Sequence, residues 1–542
     1  LDRDFNQKLL EEYKPKIDAA RQAIYDLPRV KKFTKKYNQG KIERYIESIY
    51  QELEELDYND PKDKRKIDSR QQKISNIRAG IFTTKKEQEL IRPLNLGSPV
   101  DLPQLMYSDS GFKFPVIKNN ESGKPSTDED TLVELRLTIK DPESPKAIFL
   151  DKLLELRGLQ KMYTTYIEGW HEKVQDDSRL HGRYNIHGTD SNRFSSADPN
   201  MQQIPKTSVD PNIKKQLVAP PGYLYMAFDY SQAELRMMAH LSGDETYLEA
   251  FAKGVDPHLG IAAAKYGVSI EEASKAYEDE THPDYKLWKV RRKQAKQIAF
   301  GLIYGIGNKL LAVKLSDPKA GIIVTPEEAA KEMEVFFGQH PKIRKFKEKQ
   351  EKFLRKHGYY TQLFGTKRRL PQIYSNDKQE VAYAIRLGLN FPCQGAAANM
   401  TNFGAILVYW LMRQGKLPMM KEACTVHDAV YMYSKPQDIN TWTVYTIWNI
   451  LRNPSTKRYF GFQVDDVDMD MDFTIGRTMA EELPFIPGYD YRKMLQPDFS
   501  VEEYMEEHKK YKHIHIKQFK ERFNKQIKRY EKDFEWTHSM AS

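Results

Sequence analysis

The stretch LYMAFDYSQAELRMMAHLSGD, from Leu224 to Asp244, constrains the fold most, because an apolar run leads directly into an acid. The run LYMAFD predicts a buried strand ending near Asp229, and a helix is predicted to begin near Ser231. A carboxylate delivered to the interior in this way predicts a site that binds something strongly positive. The alternative is that Asp229 only caps the helix.

The length of 542 residues is too great for one hydrophobic core, so about two to four domains are expected. The longest apolar run, FGAILVYWLM, is far shorter than the roughly 20 residues of a membrane-spanning helix, and no membrane span is predicted. Two cysteines, Cys393 and Cys424, exclude a disulfide framework and fit the cytoplasm or another reducing compartment. A net charge of +9 is modest for this length and by itself indicates nucleic acid only weakly.

Three regions differ in their periodicity. Residues 1 to about 95 predict charged helical arms, separated by a turn at YNDPKD. From Tyr223 onward, strand and helix patterns alternate as in a mixed α/β core. The tail from about Val501 predicts a basic amphipathic helix, which either packs on its own protein or contacts DNA. Its apolar residues, three or four apart, are Ile516, Phe519, Phe523, Ile527, Tyr530 and Phe534.

The segment RKQAKQIAFGLIYGIG places two cations and then two aromatic residues at four-residue steps, which is one strip of a helix. The residues are Arg292, Lys296, Phe300 and Tyr304. At ~1.5 Å per residue the strip is roughly 18 Å long, enough for a triphosphate, a sugar and a base. A solvated basic face beside core aromatics is the alternative. Three glycines in the segment indicate that something approaches the helix closely, because glycine is costly in a helix.

The segment CTVHDAVYMY predicts two short strands joined by a tight turn at His427 and Asp428. A second strand could bring Asp229 alongside Asp428, and two carboxylates held close repel each other unless a cation lies between them. A pair of Mg²⁺ ions ~3.5 to 4 Å apart would meet that need and serve phosphoryl transfer. A purely structural turn is the alternative.

Two further segments, SNRFSSADPNMQQIP and AIRLGLNFPCQGAAANM, mix Arg with Asn and Gln. Such side chains can contact minor-groove acceptors without selecting one base pair. Arg386 and Asn390 are one helical turn apart, and Pro392 is expected to end that helix, so that Gln394 begins the next one. Singly these are ordinary loop and cap residues, whereas together they suit a duplex.

In this order the segments resemble the motifs of the family A DNA polymerases: GTDSNRFSSADPNMQQIP, DYSQAELR, RKQAKQIAFGLIYG, RLGLNFPCQG and VHDA. The segment GYYTQLFGTKRRLP is similar to the hairpin region of that family, and YGIG resembles its phage members. The resemblance runs from about Leu94 to Gly476 and implies an α/β (α+β) right-hand fold, with an antiparallel palm sheet and helical fingers and thumb. The implied boundaries are thumb 1–160, palm 161–245, fingers 246–374, palm again 375–490 and basic tail 491–542.

The resemblance also implies roles for single residues. Asp229, Asp428 and the backbone carbonyl of Tyr230 would hold two Mg²⁺ ions, for which Mn²⁺ could substitute, and Lys296 would assist catalysis. The incoming deoxynucleotide would contact Arg292, Lys296, His258, Phe300, Tyr304, Gln232 and Glu234. Primer-template DNA would contact Arg193, Asn200, Gln202, Arg386, Asn390, Gln394 and His427. An accessory or processivity protein could bind at the thumb or the tail.

Two departures from the family pattern stand out. Ala429 follows the second aspartate where the family usually has Glu, which removes one acid near the primer end. Fewer than ~100 residues precede the start of the resemblance near Leu94, too few for an exonuclease domain of ordinary size, so we expect no proofreading by this chain. The expected activity is template-directed DNA synthesis. A single-subunit RNA polymerase, against which Glu234 argues, and a non-catalytic DNA-binding scaffold are the alternatives.

Overall fold

The structure, a computed structural model, describes residues 1–316, 324–426, 428–454 and 456–511. The chain divides into two compact units. The arm unit comprises Leu10–Thr164 with Ser316 and Val324, and the sheet unit comprises Leu1–Leu9, Thr165–Leu315 and the chain from Thr325. His427 and most of the predicted tail helix lie outside the described residues.

Helices dominate both units. In chain order they are α1 (Arg3–Tyr25), α2 (Pro28–Glu54), α3 (Pro61–Arg78), α4 (Lys85–Gln88), α5 (Asp101–Tyr107), α6 (Glu129–Leu137), α7 (Pro145–Lys161), α8 (Glu168–Lys173), α9 (Pro211–Lys215), α10 (Ala233–Ser242), α11 (Glu245–Ala252), α12 (Pro257–Tyr266), α13 (Ile270–Glu278), α14 (Tyr285–Ile303), α15 (Asn308–Leu315), α16 (Pro326–Gln339), α17 (Pro341–His357), α18 (Lys378–Arg413), α19 (Thr441–Arg452), α20 (Thr456–Phe460) and α21 (Val501–Tyr511). Among the described residues, no helix is long and apolar enough to cross a membrane.

The strands all belong to the sheet unit. They are β1 (Arg183–Asn185), β2 (Ser195–Ala197), β3 (Leu224–Tyr230), β4 (Tyr359–Thr361), β5 (Lys367–Arg369), β6 (Lys421–Val426), β7 (Ala429–Ser434), β8 (Met471–Gly476) and β9 (Leu483–Pro484). Five of them form one antiparallel sheet in the order β6-β7-β3-β8-β9. Two short hairpins, β1-β2 and β4-β5, stand apart from it.

The predicted charged arms are present in the arm unit. Helix α3 begins after the predicted turn, where the Asp60 side chain accepts a hydrogen bond from the backbone N–H of Lys62 and Pro61 occupies the first helical position. Such a start suits proline, because the N–H that it lacks has no partner within the helix. Isoleucine and leucine side chains from α2 and α3 pack together along the arms. A separate core of apolar side chains joins the base of the arms to α7.

Strand β3 forms the centre of the five-stranded sheet, as the apolar run LYMAFD predicts. Phe228 is fully buried, and its ring lies 4.5 Å from that of Phe473 on β8. The following helix α10 begins at Ala233, two residues later than predicted, and its N-cap is Gln232. Asp229 therefore lies in the strand and does not cap the helix. The predicted mixed fold with an antiparallel sheet is confirmed.

The predicted helix break at Pro392 is wrong, because α18 continues from Lys378 to Arg413 with Pro392 inside it. A proline in a helix interior costs about 3 kcal/mol. Burial of one large apolar side chain contributes about 1.5–3 kcal/mol, and this helix buries Phe391, Met400 and many other residues. Gly388, four residues before the proline, packs closely against Leu354. Tertiary burial thus outweighs the local cost of the proline.

Candidate active site

The predicted hairpin brings two acids together at one end of the central strands of the sheet. Strands β6 and β7 pair with Val426 opposite Ala429, so Asp428 lies next to the start of β7. Across β3 and β7, Asp229 lies opposite Ala429, so Asp428 directly precedes the partner of Asp229. On the other side of β3, Asp229 lies opposite Asp472 of β8. Directly opposed residues share a face of the sheet, so Ala429, Asp229 and Asp472 form one row.

The electrostatics of this row disfavour a charged Asp229. Burial raises the pKa of Asp229 to about 6, with further contributions from Asp428 and Asp472, while Lys206 and Lys214 oppose the shift. Burial also raises the pKa of Asp472. Both side chains are nevertheless exposed near the ends of their strands, so a cation from solution can reach them. Carboxylates that repel one another are stabilised by a bound cation. The sequence reasoning missed Asp472, although the alternating pattern DVDMDMDF is a strand pattern that places its acids on one face.

An arginine lies between the predicted acids. The Arg193 guanidinium donates a hydrogen bond to the Glu234 carboxylate and lies 3.7 Å from the Asp428 Oδ1 atom. Glu234 is only 9% exposed, in the first turn of α10, and burial raises its pKa to about 7 despite the nearby Arg193. The predicted minor-groove residue Arg193 and the predicted sugar-contacting residue Glu234 therefore bind each other in this structure.

The residues between Asp229 and Glu234 adopt a tight connection. Tyr230 ends β3 with its side chain buried and its hydroxyl donating to the Leu451 carbonyl. Gln232 has left-handed backbone angles, φ 60° and ψ 41°, and makes no side-chain cap bond. Its Oε1 atom is buried and has no hydrogen-bond partner in the described part of the chain.

The predicted strip of two cations and two aromatic residues is present on one helix. Arg292, Lys296 and Phe300 lie on α14, and Tyr304 is its C-cap. The Lys296 Nζ atom lies 5.5 Å from the centre of the Phe300 ring, which in turn lies 5.9 Å from the Tyr304 ring. Burial lowers the pKa of Lys296, and Lys206 and Arg292 lower it further. The Arg292 guanidinium binds the Asp256 carboxylate at 2.6 Å, so its charge already has a partner.

His258, on α12, is fully buried beside this strip, with its ring 5.6 Å from that of Phe300. Burial lowers the pKa of His258 to about 4, so the imidazole is neutral at pH 7. Neither ring nitrogen has a hydrogen-bond partner among the described residues. The same holds for four other buried atoms at predicted site residues: Arg193 Nε, Gln232 Oε1, Tyr304 Oη and Asn390 Oδ1. Buried polar atoms usually have hydrogen-bond partners in folded proteins, so these atoms are available to bind a polar ligand.

The sequence predicts that the three glycines of this segment let another group approach the helix closely. The structure supports this prediction for only part of the segment. Gly301 is within α14, and a Cβ atom there would meet Ile306 of the same segment at 2.8 Å. Gly305 has φ +72°, a backbone conformation that favours glycine after a helix end. Gly307 has no atom within 4 Å of the position its Cβ would take. Local packing and the helix end thus explain the first two.

The unbroken helix α18 aligns three predicted DNA contacts. Arg386, Asn390 and Gln394 are four residues apart on one continuous helix and therefore form a single strip. Asn200 and Gln202 match the simpler interpretation of cap and loop residues. The Asn200 side chain caps a short 3₁₀ turn, and the Gln202 amide donates to the Thr425 carbonyl at 2.8 Å.

Two lysines near the acids were not identified from the sequence. The charge of Lys206 lowers the pKa of both Asp229 and Lys296, so Lys206 lies near both side chains. Lys214 is buried and binds Glu482 at 2.9 Å. Among the described residues, no three His, Cys, Asp or Glu side chains cluster closely enough to hold a metal by themselves. Two carboxylates and a backbone carbonyl nevertheless fit Mg²⁺, which usually keeps several water or substrate oxygens.

Comparison with known proteins identifies the family. Curated relatives include DNA polymerase I of Pseudomonas aeruginosa, 34% identical over 59% of this chain and 32% of that protein. Thermostable DNA polymerase I of Thermus aquaticus is 32% identical over 67% of this chain and 39% of that protein. The chain thus spans about a third of the length of the curated relatives it matches.

A solved structure resembles most of the chain. It is the POL domain of Pol1 from M. smegmatis in complex with DNA primer-template and dNTP. The two share 25% sequence identity with a TM-score of 0.63, over 89% of this chain and 67% of that one. The model of DNA polymerase family A matches residues 64–481. The chain belongs to DNA polymerase family A.

Proposed function

We propose that this chain is a template-directed DNA polymerase that adds deoxynucleotides to the 3′ end of a primer. The observation that carries the proposal is that Asp229, near the end of the central strand β3, lies opposite Ala429, which directly follows Asp428. The raised pKa of Asp229 supports a site built to receive positive charge. The relative solved with DNA primer-template and dNTP supports the substrate class.

Family A DNA polymerases generally use divalent metal ions. In this chain Asp229, Asp428 and the Tyr230 carbonyl would hold two Mg²⁺ ions, with Mn²⁺ as a substitute. When bound, such ions neutralise charge on the attacking and leaving oxygens of phosphoryl transfer. Ala429 contributes no acid to this set, whereas Asp472 lies on the other side of Asp229 in the same row.

The incoming nucleotide would lie along the strip on α14. Lys296 would bind its phosphates, Phe300 its sugar and Tyr304 the templating position. Arg292 would have to share or leave Asp256 to join them. His258, which is neutral and has unpartnered ring nitrogens, would donate a hydrogen bond to a phosphate oxygen. The partnerless atoms at these positions support this placement.

Duplex DNA would contact the strip on α18 together with neighbouring polar residues. Arg386, Asn390 and Gln394 would form the continuous part of the minor-groove contact. Arg193, Asn200, Gln202 and His427 would extend it, and Arg193 would first have to release Glu234. The charged helices of the arm unit would serve as the thumb, where an accessory protein could also bind.

Primer extension separates this proposal from its two alternatives. The chain is incubated with Mg²⁺, a primed template and either deoxynucleotides or ribonucleotides. A DNA polymerase extends the primer with deoxynucleotides far better than with ribonucleotides. Preference for ribonucleotides would indicate an RNA polymerase, and duplex binding without any extension would indicate a scaffold.

A further inference from the structure

A cluster of aromatic rings, which the site described above does not use, lies on the surface of the sheet unit. It contains Phe364, Phe403, Tyr459, Phe460 and Phe462, and is named the ring patch below. Adjacent rings lie 4.8–5.3 Å apart and meet mostly edge-on. Three separate parts of the chain supply them: the β4-β5 turn, α18, and α20 with the loop that follows.

The ring patch is incompletely covered. Tyr459 is 47% exposed and Phe460 is 43% exposed, although both belong to a cluster of contacting rings. A contiguous aromatic surface of this kind marks an interaction site more often than an isolated exposed residue does.

The charge beside the ring patch favours one kind of occupant. Lys457 and Arg458 precede the two exposed rings on α20, and both are exposed. Of the four acids in the following loop, Asp466 binds His240 and Asp468 binds Arg452. Asp470 lies 3.9 Å from Arg236, and Asp465 is exposed. Cations beside exposed rings suit single-stranded nucleic acid, whose phosphates pair with the cations while its bases stack on the rings.

The ring patch is also connected to the proposed DNA contacts. Phe403 lies nine residues beyond Gln394 on the same helix, which is roughly 14 Å along its axis. Phe364 lies at the turn of the β4-β5 hairpin, where Arg368 binds Asp190 at 2.8 Å. Asp190 directly precedes the segment SNRFSSADPN, which contains Arg193.

We propose that the ring patch is a second nucleic-acid site, which holds an unpaired strand by base stacking and by contacts from Lys457 and Arg458 to its phosphates. This inference rests on the proposed function, because it assumes that the chain acts on DNA. It adds a single-strand contact outside the row of acids and outside the strip on α18.

The test measures binding of a fluorescent oligothymidylate and of a blunt DNA hairpin by anisotropy. Replacing Tyr459 and Phe460 together with Ala should weaken oligothymidylate binding by about tenfold or more, because each stacked base contributes substantially. Binding of the blunt hairpin should change less than twofold. Tyr374→Ala, at an aromatic residue that is 61% exposed in the sheet unit and outside the proposed DNA contacts, is the matched control and should leave both affinities unchanged.

Two further measurements do not depend on the alanine variant. Replacing both rings with Trp should preserve binding, and replacing Lys457 and Arg458 with Gln should reduce the salt dependence of single-strand binding by about 0.7 per residue. Photo-crosslinking of an iodouracil oligonucleotide to the unaltered chain should label the peptide that contains Tyr459 and Phe460.

Three results would overturn the proposal. The alanine variant could bind oligothymidylate as tightly as the unaltered chain, it could lose affinity equally for oligothymidylate and for the blunt hairpin, or the crosslinks could fall only on other peptides. A ring patch that serves a protein partner would give the first of these results. Primer extension by the unaltered chain is measured in parallel. Extension without the single-strand effects rejects only the ring patch, whereas absence of extension rejects the proposed function.

Discussion

Replacing Glu234 with Gln should stabilise the folded chain at neutral and alkaline pH. The carboxylate is 9% exposed, and burial raises its pKa from the ordinary 4.5 to about 7. Because the pKa is higher in the folded state, the unfolded chain loses this proton first as the pH rises. The contribution of Glu234 to the free energy of unfolding therefore falls as the pH rises from about 4.5 to 7 and is constant above that range.

The size of the effect follows from the two pKa values. The difference between 4.5 and about 7 corresponds to about 3 kcal/mol of lost stability at pH 8. Gln resembles the protonated acid and can still accept a hydrogen bond from Arg193. The variant should therefore match the unaltered chain at pH 4.5 and exceed its free energy of unfolding by up to about 3 kcal/mol at pH 8.

Urea unfolding at several pH values, followed by tryptophan fluorescence, measures this difference. The matched control is Glu245→Gln, since Glu245 also lies in a first helical turn and binds a cation, Lys342 at 2.5 Å, but is exposed. The control should change stability by less than about 0.5 kcal/mol at either pH. If Glu234→Gln were destabilising at pH 8, or its effect did not vary with pH, the buried-carboxylate reasoning would be refuted.

Three further predictions concern single side chains. Lys296→Ala should raise the nucleotide concentration needed for extension and slow insertion by about tenfold or more, whereas Lys293→Ala, at an exposed position of the same helix, should have little effect in the same kinetic assay. Glu234→Ala should raise the ratio of ribonucleotide to deoxynucleotide insertion, and an unchanged ratio in single-nucleotide assays would exclude Glu234 as the sugar gate. Phe228→Ala should cost about 3–5 kcal/mol in urea unfolding, because this ring is fully buried at the centre of the sheet.

Local patterns predicted the elements that carry the acids. The apolar run before Asp229 predicts strand β3. The two strand-like runs on either side of Asp428 predict the β6-β7 hairpin, whose hydrogen bonds join residues close in the sequence. The four-residue spacing likewise predicted the strip on α14. Pro392 was misjudged because local propensity omits the apolar burial that continues α18.

Contacts between distant segments could not be predicted from such patterns. The bond between Arg193 and Glu234 joins residues 41 positions apart, and the Gln202 contact with Thr425 spans 223 positions. The pairing of β8 with β3 that places Asp472 opposite Asp229 is similarly remote. Sheet register and side-chain packing determine these contacts, and neither is encoded in a local spacing.

The most direct test of the central claim is single-turnover insertion by Asp229→Asn and Asp428→Asn, with Asp498→Asn as an exposed control in the sheet unit. Both site variants should lose insertion by a factor of about 10³ or more, because a neutral amide is a weaker ligand for Mg²⁺ than a carboxylate. Duplex binding should persist, since the proposed phosphate and minor-groove contacts lie elsewhere. Insertion at a near-normal rate by either site variant would contradict the assignment of the active site to this pair of acids.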